Sequence, residues 1–299
     1  MKLSRDEGSD RHRIGKQGVI VPKTAQSPEA VAAHYDELDR FYREVWGDHV
    51  HHGLWLSGRE SPEAAVEQLV HVLAGELSLE KGQTACDVGC GYGASAELLS
   101  REYGARVTGI TISQAQFERA SSRAETVPGI DFLCQDWLEN TFPDAAFDAV
   151  YAIESTEHMG DKQCFFDEAY RTLRPGGRLA VYAWLSCPGP RPWQVRHLLE
   201  PICREGRLPG MGTIAEYRKM AEAAGFDWLS EHDLSRKVAK TWGICFRRFF
   251  GKLASDLSYL RYMFDRRRSE RIFALTVARI LAAYRLGAMQ YALLVARKP

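Results

Sequence analysis

Thr84-Ala85-Cys86-Asp87-Val88-Gly89-Cys90-Gly91-Tyr92-Gly93-Ala94 is the stretch that decides the architecture of this chain. A short apolar strand runs into a turn with glycines at three alternate positions, and a helix begins at Ala94-Ser95-Ala96-Glu97-Leu98-Leu99. Glycine has no Cβ, so the chain can turn sharply and a ligand can lie against bare backbone. Strand, glycine turn and helix in that order suit a nucleoside cofactor at the carboxyl end of a parallel strand in a doubly wound sheet. Two cofactor classes compete for such a loop. Gly89, Gly91 and Ala94 satisfy the loose dinucleotide pattern G-x-G-x-x-G/A, which would make the protein a nicotinamide-dependent oxidoreductase. That reading also wants an acid about 20 residues on, at the end of the next strand. Here that strand ends Gly109-Ile110-Thr111-Ile112-Ser113 and carries none.

The chain has 299 residues, 45% of them hydrophobic, enough for one large domain or two with a real core. Lys plus Arg and Asp plus Glu both total 39, so net charge gives no reason to expect a nucleic-acid partner. Residues 1–26 carry many charges and almost no periodic apolar positions, and read as a disordered tail without the apolar core of a signal peptide. No apolar run approaches the ~20 residues of a membrane-spanning helix. Seven cysteines without paired spacing fit a reducing cytoplasm. With no C-x-x-C or H-x-x-x-H cluster, no metal is expected.

Residues 27–80 read as an amino-terminal helical lid, with helices over Pro28–Trp46 and Pro62–Leu77 around a histidine-rich loop, 47–55. Residues 81–185 alternate strand and helix at the pace of βαβ units. Strands are expected at Thr84–Val88, Arg106–Thr111, Ile130–Gln135, Phe147–Ile153 and Gly177–Tyr182. Residues 186–286 read as a substrate cap with interleaved core elements: a helix over Thr213–Ala224, a strand over Trp228–Asp233 and a helical run from Lys240 to Ala283. Residues 287–299 close the core with a last strand. The expected fold is α/β: a doubly wound, seven-stranded, mostly parallel sheet with a helical cap.

Asp87 ahead of Gly89, Gly91 and Gly93 resembles the first motif of class I S-adenosylmethionine-dependent methyltransferases. The segment Gly109 to Gln116 resembles the second-strand region of the cyclopropane-fatty-acid-synthase and sterol methyltransferase group. Ala152-Ile153-Glu154-Ser155-Thr156-Glu157-His158-Met159-Gly160-Asp161-Lys162 resembles gamma-tocopherol methyltransferases, as does the lid segment Trp46-Gly47-Asp48-His49-Val50-His51-His52-Gly53-Leu54-Trp55. From Thr241-Trp242 onward the cap's aromatic pattern departs from that family. The resemblance implies S-adenosyl-L-methionine as cofactor. It implies contacts from Asp87, Gly89, Cys90, Gly91 and Gly93, from Thr111, Ser113 and Gln116, from Asp136 and Trp137, from Ile153 and Glu154, and from Tyr35 and Trp55 closing over the site. Plainer roles compete for several of these: Thr111 and Ser113 as strand end and helix cap, and Trp137, Tyr35 and Trp55 as core.

Methyl transfer is an in-line displacement, so the protein must align nucleophile, carbon and sulfur, which supplies about 7–11 kcal/mol. A phenol or amine must also lose a proton, and a ring carbon develops positive charge. His158, Glu154, Glu157 and His52 are the candidates for base or electrostatic partner. The plain alternative for Glu157 is capping the helix that begins near Asp161. The resemblance implies a mid-sized, largely apolar small-molecule acceptor: the lid and Glu154 segments put phenols and prenylated rings first, and the second-strand segment puts sterol- or polyketide-type products next. The segment Phe246–Leu253, with Arg266-Arg267-Arg268 after it, reads either as a solvated helix face or as peripheral membrane contact. The sequence does not choose between monomer and homodimer.

Overall fold

The computed structural model describes residues 20–265 and 273–299. The expected tail before residue 20 and the arginines 266–268 lie outside the described residues. α1 (Pro28–Val45) and α2 (Pro62–Leu77) each start with a serine cap followed by proline, Ser27-Pro28 and Ser61-Pro62. The serine hydroxyls accept the Ala30 and Ala64 amides, and proline fills a position where no N–H is needed.

The core then runs β1 (Thr84–Val88), α3 (Ala94–Tyr103), β2 (Arg106–Thr111), α4 (Gln114–Ala124), β3 (Ile130–Cys134), β4 (Phe147–Ile153), α5 (Lys162–Thr172) and β5 (Leu173–Ser186). Short helices α6 (Pro192–Gln194) and α7 (Glu200–Glu205) follow, then α8 (Ile214–Ala224), β6 (Asp227–Asp233) and α9 (Ser235–Val238). α10 (Lys240–Ser255), α11 (Leu257–Phe264) and α12 (Phe273–Arg285) precede β7 (Met289–Arg297). The sheet order is β3-β2-β1-β4-β5-β7-β6, seven strands, with β1 to β5 parallel and β7 antiparallel to both its neighbours. The expected doubly wound, mostly parallel sheet is present. β5 is longer at both ends than its apolar run, because it pairs with β4 on one edge and along nine positions with β7 on the other.

Two apolar layers cover the sheet. Leu69, Leu73 and Leu99 pack on one face with Tyr182 and Tyr291, and Phe165, Phe166 and Tyr217 pack on the other. A third cluster, including Leu199, Ile202, Trp242 and Ile280, lies among α7, α10 and α12. Ile20 corrects the expected tail. It is fully buried in that third cluster and bridges to Met211, and the Lys23 amide donates to Glu200 (3.1 Å). One isoleucine in a charged stretch has no periodicity to reveal it. Because β1 leads outward to β2 and β3 while β4 leads the other way, the carboxyl ends of β1 and β4 form the crevice where such sheets bind ligands.

Candidate active site

Two cavities flank the glycine turn, and a third adjoins the first. The first, about 630 Å³, is lined by Val88 and Gly89, by Thr111, Ile112 and Gln116 after β2, and by Gln135 to Leu138 after β3. Tyr35, Glu154, Ser155 and His158 also line it. Its polar groups suit a nucleoside. The Thr111 hydroxyl bonds the Gln116 carboxamide (2.8 Å), and Asp136 caps the turn Trp137–Glu139 through Oδ1. The Gln135 amide nitrogen is buried without a partner. The second cavity, about 310 Å³, lies on the other side of the turn and is lined by Asp87, Cys90, Gly91, Ser95, Ile153, His49 and His51. Asp87 Oδ2 there and the nearby Tyr151 hydroxyl are both buried without a hydrogen bond of full geometry, and burial pushes this carboxyl up to about 7 against the weaker pull of that hydroxyl. A Cβ on Gly91 would meet nothing within 4 Å, so the backbone there faces open space. Unpartnered polar atoms on both sides of a bare backbone turn fit a cofactor with a nucleoside at one end and a charged group at the other.

The third cavity, about 570 Å³, is walled by Tyr42, Trp46, Val50, Trp184, Ile202, Leu208, Trp242 and Ile280, with Glu154, Glu157, His158 and Tyr35 on the side of the first. Tyr35, Glu154 and His158 therefore line both. Glu154 ends β4 in the left-handed region (φ +55°), an unusual place for a residue with a Cβ. Its carboxylate accepts from the His52 amide (2.7 Å), His52 Nδ1 (2.9 Å), Trp184 Nε1 (2.7 Å) and the Tyr291 hydroxyl (2.7 Å). Burial works to raise its pKa, the His52 ring and amide work to lower it, and the carboxyl ends at about 2. It is a fixed buried anion.

His158 Nδ1 faces the Arg207 carbonyl (3.4 Å), which can only accept. Its Nε2 consequently holds a lone pair, which receives the Tyr35 hydroxyl at 2.8 Å. Burial drives the imidazole down to about 3, so it is neutral, and the same burial with Glu157 and Glu154 nearby raises the Tyr35 phenol. Glu157 does not cap α5; Asp161 does, accepting the Cys164 amide (2.9 Å). Glu157 instead accepts from the Trp184 amide and the Thr156 hydroxyl, and burial pushes it up to about 8.

Four of the expected site residues line none of the three cavities. His52 lines none of the three cavities: Trp242 Nε1 donates to its Nε2 (2.6 Å) and its Nδ1 donates to Glu154, so both ring nitrogens are spent inside the protein. Ser113 caps α4, accepting the Gln116 amide and donating to Asp36 (2.6 Å), and is turned away from the cleft. Trp55 faces a separate outer groove, its Nε1 on the Glu60 carbonyl (3.2 Å) and Lys240 over its ring. Gly93 starts α3 at φ +76°, and its role there is the turn itself. Trp137 edges the cleft but is 2% exposed, its Nε1 bonded to the Phe165 carbonyl. Gln135, Tyr42 and Trp184 were not singled out, although Gln135 directly precedes Asp136 in sequence. In α10, Phe249 is buried and Phe250 exposed, while Arg248 is spent on the Val45 carbonyl and Glu63. No helix among the described residues is long and apolar enough to cross a membrane.

Residues 22–289 match the family model described as mycolic acid cyclopropane synthetase. A 27-O-demethylrifamycin SV methyltransferase of Amycolatopsis mediterranei (strain S699) is 34% identical, over 92% of this chain and 99% of its own. A probable chloroplastic tocopherol O-methyltransferase of Oryza sativa subsp. japonica is 30% identical, over 91% of this chain and 78% of its own. Among solved structures, a mycolic acid cyclopropane synthase complexed with S-adenosylhomocysteine superposes with a TM-score of 0.80 at 21% identity, over 92% of this chain and 100% of that one. A 4+2 cyclase superposes with a TM-score of 0.76 at 28% identity, over 93% and 98%. None of the named relatives supports the nicotinamide reading.

Proposed function

The chain belongs to the mycolic acid cyclopropane synthetase family and is an S-adenosylmethionine-dependent methyltransferase, and from that premise we propose that it methylates a mid-sized, largely apolar small molecule held in the third cavity. Phenolic or prenylated rings and sterol- or polyketide-type natural products are the acceptor classes. The observation that carries the reading is the Tyr35–His158 pair, which stands where the cofactor cleft and the apolar cavity share a wall.

When bound, the sulfonium cofactor supplies an activated methyl group for in-line displacement. Gly89 and Gly91 would give it bare backbone, Gln135 and Asp136 would hold the nucleoside, and Asp87 would hold the other end. Tyr42, Trp46, Trp184 and Trp242 exclude water and align an apolar acceptor, which is where most of the rate must come from. An acceptor hydroxyl that takes the place of the Tyr35 hydroxyl at His158 Nε2 is oriented by a hydrogen bond to a neutral imidazole anchored on the Arg207 carbonyl, a ring that burial leaves a weak base until the acceptor is bound. The ionised Glu154, which also lines this cavity, favours any positive charge that develops beside it. For a ring-carbon acceptor, the same anion and the aromatic faces offset the developing positive charge. Glu157, with its raised pKa, is the proton-holding acid of the cavity wall.

The test is a screen of phenolic, prenylated, sterol, polyketide, indole and fatty-acyl acceptors with isotopically labelled cofactor, read by the mass of one added methyl and then by label position. Turnover of only polar acceptors such as glycine would overturn the proposal. An isomerised acceptor of unchanged mass would place the chain with the cyclase's chemistry instead.

A further inference from the structure

His49 and His51, on the loop between α1 and α2, take no part in the acceptor cavity, yet their geometry fixes where their protons lie. His51 Nδ1 is 2.8 Å from the His52 carbonyl oxygen, which can only accept, so this nitrogen carries the hydrogen. Burial lowers the pKa of His51, and the neutral ring then offers a lone pair at Nε2. His49 Nδ1 lies 3.1 Å from that lone pair, closer than the Ser95 hydroxyl at 3.4 Å, and two lone pairs would repel at that distance, so His49 Nδ1 is the donor. Burial, with His51 and Arg123 adding to it, holds His49 down to about 3, so this ring is neutral as well. His49 Nε2 is left as a bare lone pair, fixed by a two-ring chain that ends on backbone, and no described residue donates to it.

His49 lines the same small cavity as Asp87, whose buried Oδ2 also lacks a donor. Asp87 Oδ2 is the buried acceptor that a cationic donor in this cavity would fill, and His49, which lines both this cavity and the outer groove, offers its lone pair beside it. Ala94 and Ser95, which open α3, line it too, and a helix amino terminus favours a carboxylate. A zwitterion satisfies both demands, whereas the hydroxyls and amino group of a nucleoside match the polar groups of the first cavity. A neutral imidazole beside Asp87 adds an acceptor without the like-charge repulsion of a second carboxylate.

We propose that His49 is a selectivity residue for the cofactor: its Nε2 accepts a hydrogen bond from the α-ammonium of the methionine end, jointly with Asp87, and His51 holds it in the required tautomer. This rests on the placement of the amino-acid end of S-adenosylmethionine in the small cavity.

The experiment is calorimetric binding of S-adenosylhomocysteine and of its deamino analogue, with hydrogen in place of the α-amino group, to the wild type, His49→Asn and His49→Gln. Asn keeps a donor toward His51 but cannot reach the Nε2 position; Gln can reach it. Losing one hydrogen bond to a charged group should cost about 10- to 100-fold in affinity. His49→Asn should lose that factor for S-adenosylhomocysteine and bind the analogue as the wild type does, with His49→Gln between. A wild type that does not distinguish the two ligands overturns the placement of the amino-acid end. Discrimination in the wild type that persists in His49→Asn overturns the role of His49 alone. Equal loss toward both ligands also overturns it, because reading an ammonium cannot affect a ligand that lacks one.

Discussion

Gly89 and Gly91 both sit at positive φ, +80° and +54°, but the structure assigns them different jobs. A Cβ at Gly89 would overlap the Cβ of Ser155, whose hydroxyl is already bonded to the Val88 carbonyl; a Cβ at Gly91 would meet nothing. Gly91→Ala therefore adds only the left-handed penalty of about 1–2 kcal/mol, partly offset by about 0.4–1 kcal/mol from a stiffer unfolded chain. At about 2–4 °C per kcal/mol for a large domain, Tm should fall by no more than about 6 °C. Gly89→Ala adds overpacking of about 1–3 kcal/mol to the same penalty, so Tm should fall further, by roughly 2–18 °C. Binding should rank the other way once the side chain is large. Gly91→Leu projects into the space where a ligand would lie on the backbone. If two hydrogen bonds of about 1.5 kcal/mol each are lost, affinity for S-adenosylhomocysteine drops about 100-fold. Scanning calorimetry and titration calorimetry on the same preparations make the comparison. Wild-type affinity in Gly91→Leu, or equal loss of Tm in the two alanine variants, would refute the reasoning.

Further outcomes follow from the seam between the cavities. His158→Ala should leave affinity for S-adenosylhomocysteine within a few-fold and lower the single-turnover rate by about 10²–10⁴ if His158 is the base. A variant that binds cofactor poorly but turns over normally when saturated would move His158 out of the acceptor side. Glu157 has a folded pKa of about 8, above its ordinary value of 4.5, so the native state holds the extra proton. Its contribution to stability is whole below about pH 4.5 and is lost as pH rises toward 8. Denaturant melts of Glu157→Gln across pH 5 to 8 should show a shallower decline than the wild type, and parallel curves would contradict the assignment.

The glycine turn, the strand–helix alternation and the serine–proline caps are local signals, each complete within about ten residues, and they were enough for the parallel core and for α1 and α2. The Glu154-to-His158 segment was legible for the same reason, as a short polar run after an apolar strand. What those side chains do was not legible, because hydrogen bonding and burial are set by residues distant in sequence. His52 looked like a partner for substrate until Trp242, 190 residues on, and Glu154 were found to occupy both its nitrogens. Ser113 faces Asp36 because α1 folds back over α4, and Trp55 is drawn outward by its neighbours Glu60 and Lys240. The buried place of Ile20 depends on Met211. Sequence alone settled the frame, since turns and amphipathic periods are short-range. The tertiary structure decided which polar groups stay unsatisfied and face a cavity, since a proton's location depends on every partner that folding brings to it.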